Sequence, residues 1–163
     1  MEMINEIPVV NIRLVKEPSL YSDEGITSST DAARVLSKEL KELDREVFGV
    51  MNLRSDGGII NMNIVSVGTL NSTTVSPREV FKSSILSNAA GFIAFHNHPS
   101  GSLEASAEDI ETTARLAECG KIMDIKMLDH IIVSGTSGDF ISLRAKGLLD
   151  DKTKSVKQRG MER

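Results

Sequence analysis

Three histidines occur in the chain, and two of them, His96 and His98, stand two residues apart at the end of an apolar run over residues 92–98. Such a run is expected to form a buried strand, and positions i and i+2 of a strand share one face. The two imidazoles can therefore converge on a single metal ion. Pro99 ends the strand there, so the pair lies at a sheet end open to water and substrate. Taken alone, the pair is better explained as two partly exposed polar residues at a strand terminus.

Asp109 lies in the first turn of a helix expected over residues 107–119. Ser106 is a natural N-cap, and a carboxylate at the third helical position suits the helix dipole. Capping accounts for both residues without a metal. It does not account for the short, turn-rich loop Pro99-Ser100-Gly101-Ser102, which can fold the helix start back onto the histidine pair. Two nitrogens and one carboxylate oxygen would leave one tetrahedral position open, as in catalytic rather than structural zinc sites.

The elements that position these residues follow from periodicity and punctuation. Val10, Ile12 and Leu14 alternate as in a strand. From residue 29, after or at Ser29 or Thr30 as cap, Val35, Leu36, Leu40, Leu43 and Val47 recur at helical spacing. Residues 48–53 and 59–67 read as two strands joined by the hairpin turn Ser55-Asp56-Gly57-Gly58. Ser76-Pro77-Arg78-Glu79 predicts a second helix with Ser76 as N-cap and Glu79 closing a capping box, running to about residue 90 with Gly91 as its stop. The third helix is expected to stop at Gly120. Residues 122–134 hold two strand candidates and 140–143 a last short one. Alternating helices and strands with one hairpin make the fold class mixed α/β.

Composition narrows the function. The 163 residues suit one domain, with residues 1–28 as an N-terminal extension, 29–149 as the domain and 150–163 as a polar, basic tail. The net charge of −4 gives no support to nucleic-acid binding, and 4% aromatics without tryptophan disfavour a base-stacking platform. The single cysteine, Cys119, excludes an intrachain disulfide and a cysteine-rich zinc site; it is read as core packing in a reducing, cytoplasmic protein. Glu2, Glu6 and Pro8 are unlike a signal peptide, and no run approaches the ~18 apolar residues of a membrane span, so no membrane partner is expected.

The spacing His-x-His-x7-Ser-x2-Asp made by His96, His98, Ser106 and Asp109 resembles the JAMM motif of the JAB/MPN metalloprotease superfamily. Three flanking blocks resemble its RadC-like branch: Pro77-Arg78-Glu79-Val80-Phe81, His96-Asn97-His98-Pro99-Ser100-Gly101 and Leu128-Asp129-His130-Ile131-Ile132. The resemblance spans residues 31–149. It implies a single JAB/MPN-type α/β domain, a mixed curved sheet flanked by helices in a cytidine-deaminase-like architecture. It also implies one Zn2+ per chain, held by His96, His98, Asp109 and a water.

The superfamily further requires a glutamate from an upstream helix. Glu46-Val47-Phe48-Gly49 matches its Glu-x-x-Gly pattern at the end of the first expected helix, and Glu79 is the competitor already assigned to a cap. The implied activity is that of a zinc metallopeptidase or isopeptidase acting on a peptide or protein. Glu46 would move the proton of the metal-activated water, and Ser106 would donate a hydrogen bond to the oxyanion. The alternative class is a non-hydrolytic accessory protein of DNA repair that keeps its metal for structure. His130, in the Asp-His pair of the branch, is expected to be structural or to support a ligand.

Other readings of the same letters fail. HNH nucleases spread their three residues over a hairpin and a helix. A zinc deaminase needs a Pro-Cys-x-x-Cys ligand pair, which one cysteine cannot supply. Amidohydrolase barrels are longer than this chain. Two departures from the branch are expected: with only about thirty residues before the first helix, its helix-hairpin-helix region is expected to be missing, and Ala105 stands where a proline often precedes the motif serine.

Overall fold

The computed structural model describes residues 6–68 and 75–149. Strand β1 (Val47–Leu53) is mainly apolar on both faces and is buried along its length. Such a strand must be covered on both sides. β1 lies between β2 (Ile59–Val67) and β3 (Gly91–His98), both antiparallel to it. β4 (Lys126–Ser134) runs parallel to β3, and β5 (Phe140–Ser142) closes the order β2-β1-β3-β4-β5. The parallel β3–β4 pair needs a crossover, supplied by α3 (Ala107–Met123). The fold is thus the α/β class with a mixed sheet that the sequence predicts.

Strand parity decides which helix sees which side chain. Ala33, Leu36 and Leu40 of α1 (Ser29–Leu40) pack on Val47, Met51, Ile93 and Phe95. The alternate residues Phe48, Val50, Phe92 and Ala94 face α2 (Pro77–Leu86) and α3, meeting Val80, Phe81 and Leu116. Each of the larger side chains here, the alanines apart, contributes about 1.5–3 kcal/mol when fully buried. His96 and His98 have the parity of Phe92 and Ala94. They therefore point to the α3 side, where Asp109 begins its helix.

Several local expectations give way to tertiary contacts. The strand expected around Val10, Ile12 and Leu14 does not form: residues 6–27 carry no helix or strand, and Val10 and Ile12, 75% and 73% exposed, bury too little apolar surface to hold one. The first helix ends at Leu40, with Lys41 extended and Glu42 left-handed (φ 68°); Val47 belongs to β1, where pairing on both sides outweighs its helical spacing. Glu46 therefore sits in the connection just before β1, not at a helix end.

The second helix stops at Leu86 through left-handed Asn88 (φ 51°), and Gly91 opens β3. Its expected capping box is absent: the Ser76 side chain makes no cap bond, and the Glu79 carboxylate takes Lys82 Nζ at 2.8 Å, a charged donor that outcompetes a backbone N–H. The third helix passes through Gly120 and leaves at left-handed Asp124 (φ 55°). Ile122 and Met123 thus end a helix, and residues 126–134 form one strand rather than two. Cys119 packs half-buried against the α2–α3 core, as expected. The tail over residues 150–163 lies outside the described residues.

Candidate metal centre

β3 delivers His96 and His98 from the core to its C-terminal end, both buried (1% and 9% exposed). The turn that follows is held against the β4–β5 connection. Gly101 takes φ 89°, its N–H donates to the His98 carbonyl at 2.9 Å, and its own carbonyl accepts from Ser134 Oγ at 3.0 Å. A Cβ at Gly101 would lie 2.4 Å from Thr136 Oγ1, so this approach requires glycine. The chain then enters α3 through a reciprocal capping box. Asp109 N–H donates to Ser106 Oγ at 3.0 Å, and Ser106 N–H donates to Asp109 Oδ2 at 2.8 Å.

Capping and clustering are thus the same geometry. The Asp109 carboxylate that closes the box also places Oδ1 3.1 Å from His96 Nε2 and Oδ2 3.1 Å from His98 Nε2. The two Nε2 atoms are 3.0 Å apart, and His96, His98 and Asp109 form a group that could hold a metal ion. Ser106 lends a hydroxyl lone pair to the cap, which leaves the hydroxyl hydrogen for a second acceptor.

The donor set fits a cation. His98 Nδ1 lies 3.1 Å from the Ser102 carbonyl, which can only accept, so His98 spends its N–H there and turns the Nε2 lone pair inward. That lone pair meets only carboxylate oxygens and a second imidazole nitrogen. Acceptors converging on acceptors need a proton or a metal between them. Accordingly, the Asp109 hydrogen bond raises the His98 pKa against the effect of burial. Burial works to raise the Asp109 pKa, but hydrogen bonds from His96 and His98 overcome it and hold the carboxyl well below its ordinary range. Nitrogen and oxygen ligands in this number suit a divalent transition metal with an open position.

Glu46 comes from the connection before β1, the strand next to β3. It precedes β1 on the parity of Phe48, which lies opposite His96, and its charge helps raise the His98 pKa. Its backbone is held on both flanks. Gly68 N–H donates to the Glu46 carbonyl at 2.8 Å, and the Asn97 carboxamide bonds both Val47 N–H and the Arg45 carbonyl. Glu79, by contrast, is tied to Lys82 on the surface of α2.

His130 is fully buried and is not placed as a ligand. Its Nε2 lies 2.7 Å from His96 Nδ1, behind that ring, and its Nδ1 lies 2.6 Å from Thr113 Oγ1. Burial, then the neighbouring His96, keeps its pKa well below the usual histidine value. Phe48 walls the group, stacked on His96 at 6.1 Å and edge-on to His130 at 5.7 Å. A narrow cleft bounded by Phe48, Val75, Glu108 and Thr112 reaches His96 and Asp109. A larger cavity of about 460 Å³ lies at the opposite sheet end, between the α1 start and Arg144, and holds no histidine.

Sequence reasoning did not single out Asn97 or Thr113. Thr113 stands four residues after Asp109 and so on its helix face, a signal that was present. Asn97 offers no comparable local sign, because its partners lie 50 and 52 residues away.

Known proteins resemble this chain over most of its length. The family model of the RadC-like JAB domain matches residues 26–148. A UPF0758 protein of Syntrophomonas wolfei is 48% identical over 120 residues, covering 73% of this chain and 50% of the relative. One from Staphylococcus haemolyticus is 42% identical over 125 residues, 77% of this chain and 54% of the relative. One from Caldanaerobacter subterraneus is 44% identical over 125 residues, 77% of this chain and 53% of the relative. The chain thus spans about half the length of these relatives. A matched family model over most of the chain, together with the His96–His98–Asp109 cluster on its five-stranded mixed sheet, makes this chain a member of the RadC-like JAB domain family.

Proposed function

We propose that the domain is a metal-dependent hydrolase of the JAMM type, with zinc held by His96, His98 and Asp109, acting on a peptide or isopeptide bond. The observation that carries the reading is the convergence of two imidazole nitrogens and one carboxylate: His96 Nε2 and His98 Nε2 lie 3.0 Å apart, and each is 3.1 Å from an Asp109 oxygen. When bound, zinc would acidify a water and polarise the scissile carbonyl.

The residues of the chain would do the rest. Glu46, held by Asn97 and Gly68 and felt electrostatically at His98, would accept the water proton and return it to the leaving amine. Ser106, with its lone pair committed to the cap, would donate its hydroxyl hydrogen to the oxyanion. Phe48 and Val75 would keep bulk water from the back of the site. Among the described residues no helix is long and apolar enough to cross a membrane, and we propose a cytoplasmic peptide or protein as substrate.

Elemental analysis of the purified protein and of His96→Ala tests the metal. We expect about one zinc per chain in the first and a large loss in the second; equal contents would refute the site. A zinc-loaded protein that cleaves nothing across a broad peptide and isopeptide library would favour an accessory module with a structural metal.

A further inference from the structure

We propose that His130 and Thr113 are positioning residues that fix the tautomer of His96, so that its Nε2 lone pair faces the centre. The inference rests on the metal reading for its purpose, but its geometry stands apart from it.

The direction of the chain follows from counting hydrogens. Thr113 has one hydroxyl hydrogen, and its Oγ1 lies 2.6 Å from the Asp109 carbonyl, a group that only accepts. The hydrogen is therefore spent there. Oγ1 can then meet His130 Nδ1, 2.6 Å away, only by accepting its N–H. A neutral His130 with hydrogen on Nδ1 has a lone pair on Nε2. That lone pair faces His96 Nδ1 at 2.7 Å, which must supply the hydrogen. His96 is then bare at Nε2, the atom 3.1 Å from Asp109 Oδ1.

Both ends of the chain are anchored on one residue. The Asp109 carbonyl receives Thr113, and the Asp109 carboxylate meets the far nitrogen of His96. The relay thus closes a ring: Asp109 backbone, Thr113, His130, His96, Asp109 side chain. His98 reaches the same state by a shorter route, through the Ser102 carbonyl. Every member of the ring is buried, with Thr113 and His130 at 0% exposure, so water cannot substitute for a missing link. Packing alone would explain an apolar residue at position 130 at least as well, and an apolar residue would leave His96 Nδ1 without its partner.

Side-chain nitrogen NMR on the metal-free protein, above the ordinary histidine titration range, reads the tautomers without any ligand. We expect His96 and His130 both protonated at Nδ1. His96 protonated at Nε2 and bare at Nδ1 in the wild type would overturn the proposal, and this result needs no variant to fold. Chelator competition with zinc is the second measurement. Thr113→Val keeps the shape but removes the acceptor, and should weaken zinc binding about 10–100-fold. Thr113→Ser keeps the hydroxyl and should restore most of it. A folded Thr113→Val protein with wild-type zinc affinity would also overturn the proposal. A wild type that binds no zinc but shows the expected tautomers would refute the metal reading and leave the relay standing.

Discussion

Asn97 Oδ1 accepts the Val47 backbone N–H at 2.7 Å, linking the middle residue of His96-Asn97-His98 to the first residue of β1. The same carboxamide donates from Nδ2 to the Arg45 carbonyl at 3.1 Å. One side chain thus brackets Glu46 and fixes its backbone relative to the two histidines. Asn97→Ala would leave a buried N–H and a carbonyl without their partner, a loss of about 1–3 kcal/mol. Denaturant unfolding should show it, while zinc content should stay near the wild-type level because the three ligands are untouched. An unchanged midpoint would mean that another group takes over the Val47 N–H.

The two glutamates separate cleanly. Glu46→Gln should keep zinc and lower hydrolysis by about 10²–10⁴-fold, since the shape remains and the base is gone. Glu79→Gln removes only the surface pair with Lys82, so melting temperature and turnover should both match the wild type. An inactive Glu79→Gln with an active Glu46→Gln would make Glu79, and not Glu46, the base.

Zinc should stabilise the fold by mass action. Free metal at a hundredfold excess over its dissociation constant adds about 2.7 kcal/mol if only the folded state binds it. Chelation should lower the melting temperature and added zinc should restore it. A zinc-loaded sample whose melting curve ignores the chelator would place its metal outside this centre.

Phe48 is 1% exposed and wedged against His96 and His130. Phe48→Ala should cost about 3–5 kcal/mol through lost burial and the cavity left behind. Because the cavity opens beside both rings, zinc affinity should fall with stability. A stability loss with undiminished affinity would show that the histidines hold their places without this wall.

The start of α1 should be acid-sensitive. Hydrogen bonds from the Ser28 hydroxyl, then the Thr27 N–H and hydroxyl, lower the Asp31 pKa from its ordinary 3.8. The folded value is the depressed one, so this contribution is present above pH 3.8 and is lost as pH falls through the folded pKa. Carboxyl NMR should show Asp31 titrating below that value, and Asp31→Asn should flatten the acid limb of stability. A titration at or above the ordinary value would show that the caps do not hold the carboxylate.

The amino-acid order alone settles whatever depends on short spacing. Histidines at i and i+2 share a strand face wherever that strand goes, and Ser106 with Asp109 makes a helix cap from local geometry alone. The hairpin at Gly57-Gly58 and the apolar strands on either side of it are equally local. Those facts, read together, locate the candidate ligands and the class of fold. Tertiary structure decides what long-range register brings together. Val47 continues a helical pattern, yet pairing with β2 and β3 takes it into a strand and moves Glu46 off the helix end. The parallel register of β4 on β3 places His130 beside Ala94, within reach of a ring 34 residues away. Asn97 becomes the support of Glu46 only once β1 lies next to β3. Periodicity reports which face of an element is buried; only the assembled sheet reports which element that face meets.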